Sequence, residues 1–170
     1  MTHQALVLTA TGPDKPGIVE QVTEVVEEHD GNVEASRMAR LGGEFAMLML
    51  VCAPGGHIDA LRKALSGLRQ RDLQVVTRLT SGGNIEQYAG HTPYEIKFRG
   101  ADHEGIVHSV THYLASQDIN IETLNTNVRK APMTGTPLFE MDAVVLVPGS
   151  FNFHDLREAL EEIGDQSGVD

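Results

Sequence analysis

The sequence predicts an α+β fold made of two copies of a β-α-β-β-α-β unit, each with an antiparallel sheet. Three observations carry the prediction. A short apolar run, Ala5 to Leu8, passes through the turn Thr11-Gly12-Pro13-Asp14-Lys15-Pro16-Gly17-Ile18 into apolar residues of helical period: Ile18, Val19, Val22, Val25 and Val26. Two glycines and two prolines make that stretch a strand-to-helix turn. The same passage returns 88 residues later, where Gly100-Ala101-Asp102-His103-Glu104-Gly105-Ile106-Val107 repeats Gly12 to Val19. The elements that follow repeat in register as well.

In order, residues 4–10 read as a strand. Leu6 and Leu8 alternate with Ala5 and Val7, which predicts an internal strand buried on both faces. A helix follows to about Glu28, and His29-Asp30-Gly31 ends it with Gly31 as the expected left-handed residue. Asn32 to Arg40 and Phe45 to Cys52 form two strands joined by a hairpin at Leu41-Gly42-Gly43-Glu44. Pro54-Gly55-Gly56 breaks the second of them. A second helix runs from about Ile58 to Leu68, with Ile58, Leu61, Leu65 and Leu68 on one face. Leu73 to Leu79 closes the unit as a fourth strand. This is the split βαβ order of ferredoxin-like folds.

A linker, residues 81–93, separates the first domain (1–80) from the second (94–170). Tyr94 to Arg99 restarts the pattern. Ile106, Val107, Val110 and Leu114 match Ile18, Val19, Val22 and Val26, and Asp118, Asn120 and Glu122 match Asp30, Asn32 and Glu34. Phe139 and Met141 then match Phe45 and Met47 at a spacing of 94, so six extra residues sit in the second hairpin, between Arg129 and Pro137. Leu156-Arg157 and Ala159-Leu160 match Leu61-Arg62 and Ala64-Leu65. The sequence stops at Val169-Asp170, where the second domain's last strand is expected to begin, so that strand reads as either truncated or supplied differently.

Composition narrows the function classes. Among 170 residues, 41% are apolar and 22% charged, as in ordinary globular domains. No apolar run is long enough to span a bilayer, and Met1-Thr2-His3-Gln4 lacks signal-peptide character, so a cytoplasmic location is expected. The single Cys52 leaves no internal disulfide and is expected to be a buried structural thiol. The net charge is −11 and the 13 basic residues are scattered, which argues against a direct grip on nucleic acid.

These residues resemble the ACT domain, a small regulatory module that binds amino acids. The family pattern, Asp-x-Pro-Gly-Ile/Leu followed by Asn-Ile/Val at the second strand, is matched by Asp14-Lys15-Pro16-Gly17-Ile18 and Asn32-Val33. Asp102-His103-Glu104-Gly105-Ile106 and Asn120-Ile121 match it with Glu104 in place of the proline. Two such modules, and the long hairpin Lys130 to Met141, are similar to the glycine cleavage system transcriptional repressor family. The resemblance implies a non-enzymatic regulator without cofactor or metal. Its implied partners are a small amino acid such as glycine or serine, a transcriptional activator protein, and a second copy in a homodimer. A ligand-free pairing module, or the regulatory part of an amino-acid-metabolism enzyme, stands as the alternative.

An amino acid presents a carboxylate and an ammonium. A helix start offers backbone N–H groups to the first, and an Asn amide serves either. The candidate ligand residues are Gly12, Asp14, Lys15, Pro16, Gly17, Ile18 and Asn32. A second loop adds Asp102, His103, Gly105, Ile106 and Asn120. Lys15 favours an anion at the first helix start, whereas Glu104 competes for the same groups at the second, so the first loop is expected to hold the carboxylate. The plainer role of Asp14 is to cap its helix. His108 and His112 lie four apart on one helical face, but their counterparts Glu20 and Glu24 mark that face as solvated, so no metal site is expected. Strand 45–52 is apolar on both faces, which predicts that the face away from the helices meets another module or chain.

Overall fold

The computed structural model describes residues 3–68, 72–81, 85–101, 104–131 and 135–169. The chain forms two compact units, residues 1–83 and 84–170.

The first unit contains β1 (His3–Pro13), α1 (Ile18–Glu27), β2 (Asn32–Leu41), β3 (Glu44–Pro54), α2 (Ile58–Gly67) and β4 (Gln74–Thr80). Its four strands lie in the order β2-β3-β1-β4, all antiparallel. Strand alternation sorts side chains by face. Leu6, Leu8 and Ala10 of β1 and Met47, Met49 and Val51 of β3 point into the core. There they meet Ile18, Val22 and Val26 of α1 and Ile58, Leu61 and Leu65 of α2. The helical period puts each of those sets on one side of its helix.

Three expectations are corrected here. β1 is central, but only one of its faces is buried; Val7 is half-buried and Thr9 exposed, because both helices lie on the other face. Cys52 is half-buried, since it falls on that same helix-free side of β3. The left-handed residue after α1 is Asp30, with φ 55°, rather than Gly31. Gly31 donates its N–H to Val26 O at 2.9 Å, and a Cβ there would lie 2.8 Å from Val26 Cγ1, so close approach rather than torsion demands the glycine. Asp118 repeats the arrangement after the third helix, with φ 56°. Short polar side chains tolerate this region better than most.

The second unit contains β5 (His91–Ala101), α3 (Ile106–Ser116), β6 (Asn120–Lys130), β7 (Pro137–Pro148) and α4 (Phe153–Ser167), with a short 3-10 turn at Ile85–Tyr88 before them. β5 starts at His91, inside the expected linker. The sheet has three strands, β5-β7-β6. Its core joins Ile96, Phe98, Val110, Leu114, Met141 and Leu156, among others. After α4, Gly168 turns left-handed at φ 67° and Val169 makes an isolated antiparallel bridge to Gly100. In the first unit Asp72, φ 65°, and buried Leu73 precede β4 in the same way. A Cβ on Gly12 would lie 2.6 Å from Asp72 O, and one on Gly100 would lie 2.8 Å from Gly168 O. The two glycines therefore serve the same close crossing.

Candidate functional site

The first loop is built by β1 and α1. Gly17 is the N-cap of α1, with φ 87°, and no side chain caps this helix start. The first intrahelical bond of this turn is Gln21 N–H to Gly17 O, at 3.0 Å. The N–H groups of Ile18, Val19 and Glu20 precede it and carry the positive end of the helix dipole. Asp14 does not cap the helix, contrary to the plainer expectation for it. β1 extends to Pro13, so Asp14 lies against the β2–β3 hairpin, where its N–H donates to Gly43 O at 3.0 Å and Arg40 Nη1 donates to its carboxylate at 3.3 Å. Lys15 Nζ meets Asp72 Oδ2 at 3.1 Å; both side chains are largely exposed.

Pro13, Lys15, Pro16, Ile18, Gln21, Asp72 and Leu73 enclose a cavity of about 50 Å³. The Gln21 Oε1 atom is buried and has no hydrogen-bond partner. Asp72 and Gln21 are the residues that sequence reasoning missed. Asp72 arrives through the β1–β4 pairing, which sets Thr11 opposite Gln74. Nothing local in the sequence announces that register. Gln21 lies one helical turn past Gly17, a spacing legible in principle.

Asn32 is not brought to this loop. It stands opposite Cys52, which in turn stands opposite Ala5, whereas Gly12 pairs with Phe45. Seven register rows separate them, roughly 23 Å at about 3.3 Å per residue. The physical reason is that α1 returns the chain to the starting end of β1 before β2 begins.

In the second unit Gly105 repeats the left-handed N-cap at φ 89°, again without a side-chain cap. Asp102 and His103 lie outside the described residues. Ile106 is buried, and Asn120 stands opposite Leu146, far along the sheet from Gly100 opposite Phe139. Two features of the first loop have different counterparts here. Gly168 takes the place of Asp72, and Ser109, whose Oγ donates to Gly105 O at 3.2 Å, takes the place of Gln21. His108 and His112 are exposed, with ring centroids 5.8 Å apart, and no trio of metal-ligating side chains occurs among the described residues. Among the described residues no helix is long and apolar enough to cross a membrane.

The ACT domain family matches residues 4–78, which is the first unit with its Gly17 loop. The first unit is an ACT domain. A curated relative, the glycine cleavage system transcriptional repressor of Escherichia coli (strain K12), is 42% identical over 60 residues. That match covers 35% of this chain and 32% of the repressor, so the chain spans about a third of the curated relative's length. Two solved structures align over nearly everything. An unknown protein from Galdieria sulphuraria is 35% identical, with a TM-score of 0.82, covering 99% of this chain and 96% of that one. A candidate glycine cleavage system transcriptional repressor is 25% identical, with a TM-score of 0.72, covering 100% and 95%. Both ferredoxin-like units thus have counterparts in a repressor-like tandem ACT fold.

Proposed function

We propose that this ACT protein is a non-enzymatic regulator that senses a small amino acid at its first loop and passes the signal to a partner protein, in the manner of a glycine cleavage repressor. The observation that carries the reading is the unpartnered Gln21 Oε1 beside an uncapped helix start, with Lys15 and Asp72 at the mouth of the same small cavity. A zwitterion fits these charges. Its carboxylate accepts from the α1 N–H groups and from Lys15, and its ammonium donates to Gln21 Oε1 and Asp72. The Lys15–Asp72 pair is exposed, so giving it up costs little, about 0–1 kcal/mol. Pro16 holds the loop before a ligand arrives and lowers the ordering cost. A cavity needs roughly 10–15 Å³ per water-sized occupant, which favours glycine or serine over larger amino acids. The second loop lacks the Asp72 and Gln21 counterparts, and its Asp102, His103, Gly105, Ile106 and Asn120 are assigned no ligand here.

The partner is read as a transcriptional activator protein rather than DNA, because a net charge of −11 opposes a phosphate backbone. The test is a titration of the full chain with a panel of amino acids, following backbone amide signals and melting temperature. Glycine or serine should move the signals of Gly17, Ile18, Gln21 and Asp72 and raise the melting temperature. Movement confined to Gly105 and Asn120 would reverse the assignment of the loops. Silence across the panel would leave a ligand-free pairing module.

A further inference from the structure

Two side chains of the first turn of α1 flank the place where Gly17 lacks a side chain. A Cβ on Gly17 would lie 3.7 Å from Glu20 Oε2 and 4.0 Å from Gln21 Nε2. Both side chains bend back over the helix start, because residues three and four positions past Gly17 share its flank of the helix. The notch adjoins the small cavity of the loop, which Pro16, Ile18 and Gln21 help to line. Gln21 already has a place in the amino-acid reading; Glu20 has none. Its side chain is exposed and stands beside a start that no side chain caps. The second unit supplies the contrast. Among the described residues nothing lies within 4 Å of a Cβ on Gly105. His108 stands where the first unit has Glu20, and its ring meets His112 one turn further along α3.

The plain role of an acid in the first turn is to complement the helix dipole. That role does not account for the company Glu20 keeps. Asp72 stands at the mouth of the adjoining cavity, and Gln21 Oε1 is buried without a partner. Three acceptors thus gather around one helix start, and two of them are carboxylates. A ligand carboxylate bound to the N–H groups of α1 would face that negative charge unbalanced. An ammonium on the next atom of the same ligand balances it, and an ammonium has three N–H donors to place.

We propose that Glu20 is the residue by which the first loop selects α-amino acids against 2-hydroxy acids of the same size. It accepts the third N–H of the ligand ammonium, beside Gln21 Oε1 and Asp72. This selection rests on the amino-acid reading of the loop and names its specificity residue. Glycolate has the carboxylate and the skeleton of glycine, with a hydroxyl in place of the ammonium. It brings a net negative charge to a place bordered by two carboxylates, and its hydroxyl has one donor to offer. Selection is therefore made by charge rather than by size. The second loop, with His108, Ser109 and Gly168 at the matching positions, has none of these three acceptors.

The test titrates glycine and glycolate into the full chain and into its Glu20→Gln variant, following the amide signals of Gly17, Ile18 and Gln21. Glutamine keeps the length and an acceptor oxygen and removes the charge. The parent should bind glycine at least about tenfold more tightly than glycolate, since charge-assisted hydrogen bonds are the strong ones. Glu20→Gln should bind glycine about three- to fivefold more weakly, as expected for an exposed charge pair, and glycolate no more weakly than the parent does. A Glu20 that merely stabilises its helix would shift both ligands in the same proportion, together with the melting temperature. Equal affinity of the parent for the two ligands, a proportional loss of both in the variant, or unchanged glycine binding in the variant would each overturn the selection while leaving glycine at the first loop. Amides silent toward both ligands in the parent would instead remove the amino-acid reading, and the selection with it.

Discussion

Gly17 and Gly12 lie five residues apart and resist substitution for different reasons. At Gly17 a Cβ would have room, its nearest neighbour being Glu20 Oε2 at 3.7 Å, so Gly17→Ala meets only the torsional cost of φ 87°. That cost is about 1–2 kcal/mol. At Gly12 the added atom would stand 2.6 Å from Asp72 O, a backbone atom that cannot swing aside. Gly12→Ala should therefore destabilise the first unit more than Gly17→Ala, and chemical denaturation of the two variants measures the order. Tyr113 supports a separate expectation. Burial first, and then the Asp155 carboxylate, raise its phenol above the ordinary value of 10.0. The folded chain then holds that proton more tightly than the unfolded one. Stability is unaffected below pH 10 and falls as the pH climbs through the raised value. In an absorbance titration of phenolate, Asp155→Asn should bring the Tyr113 midpoint down.

At the level of elements, caps separate one helix from the rest. Asn152 accepts from His154 N–H at 3.0 Å and begins α4 in extended geometry, whereas α1, α2 and α3 start without a side-chain cap. Asn152→Ala should cost about 0.5–2 kcal/mol, read from the thermal midpoint of the second unit. Its effect should stay in that unit, because each unit has its own core. Element order and hydrophobic faces were legible in the sequence because period and repetition are local signals. Ile18, Val22 and Val26 could be placed together without knowing what they pack against. The turn chemistry was half legible. Asp30-Gly31 marked the end of α1, but either residue could have taken the left-handed torsion, and the crowding at Val26 that decides the matter is a packing fact. The site was legible only along the chain. Gly17, Pro16 and Lys15 are neighbours, but Asp72 joins them through pairing across more than fifty residues, and Asn32, adjacent in the family pattern, is carried to the opposite end of the sheet.

Across the molecule the two units differ most on the sheet faces that no helix covers. In the second, β5, β6 and β7 line that face with charged partners. Arg99 Nη2 donates to Asp142 at 2.8 and 3.0 Å, and Arg129 meets Glu140 at 3.4 Å. Water wets such a face at little cost. In the first unit the corresponding face holds Val7, Ala35, Leu48 and Leu50, which with Ser36, Arg37 and Thr80 border a shallow cavity of about 320 Å³. Leu48 is 48% and Val76 62% exposed in the chain alone. A contiguous apolar face of this kind favours association, at about 25 cal/mol per Å² removed from water. Sheet-on-sheet pairing of two copies through this face is expected, with the mass rising with concentration in sedimentation. Leu48→Lys places a charge at its centre without touching the core, because Met47 and Met49 are the residues of β3 that point toward the helices. The variant should therefore melt close to the parent and yet remain monomeric where the parent associates. If parent and variant sediment alike at every concentration, this face is not where two copies meet.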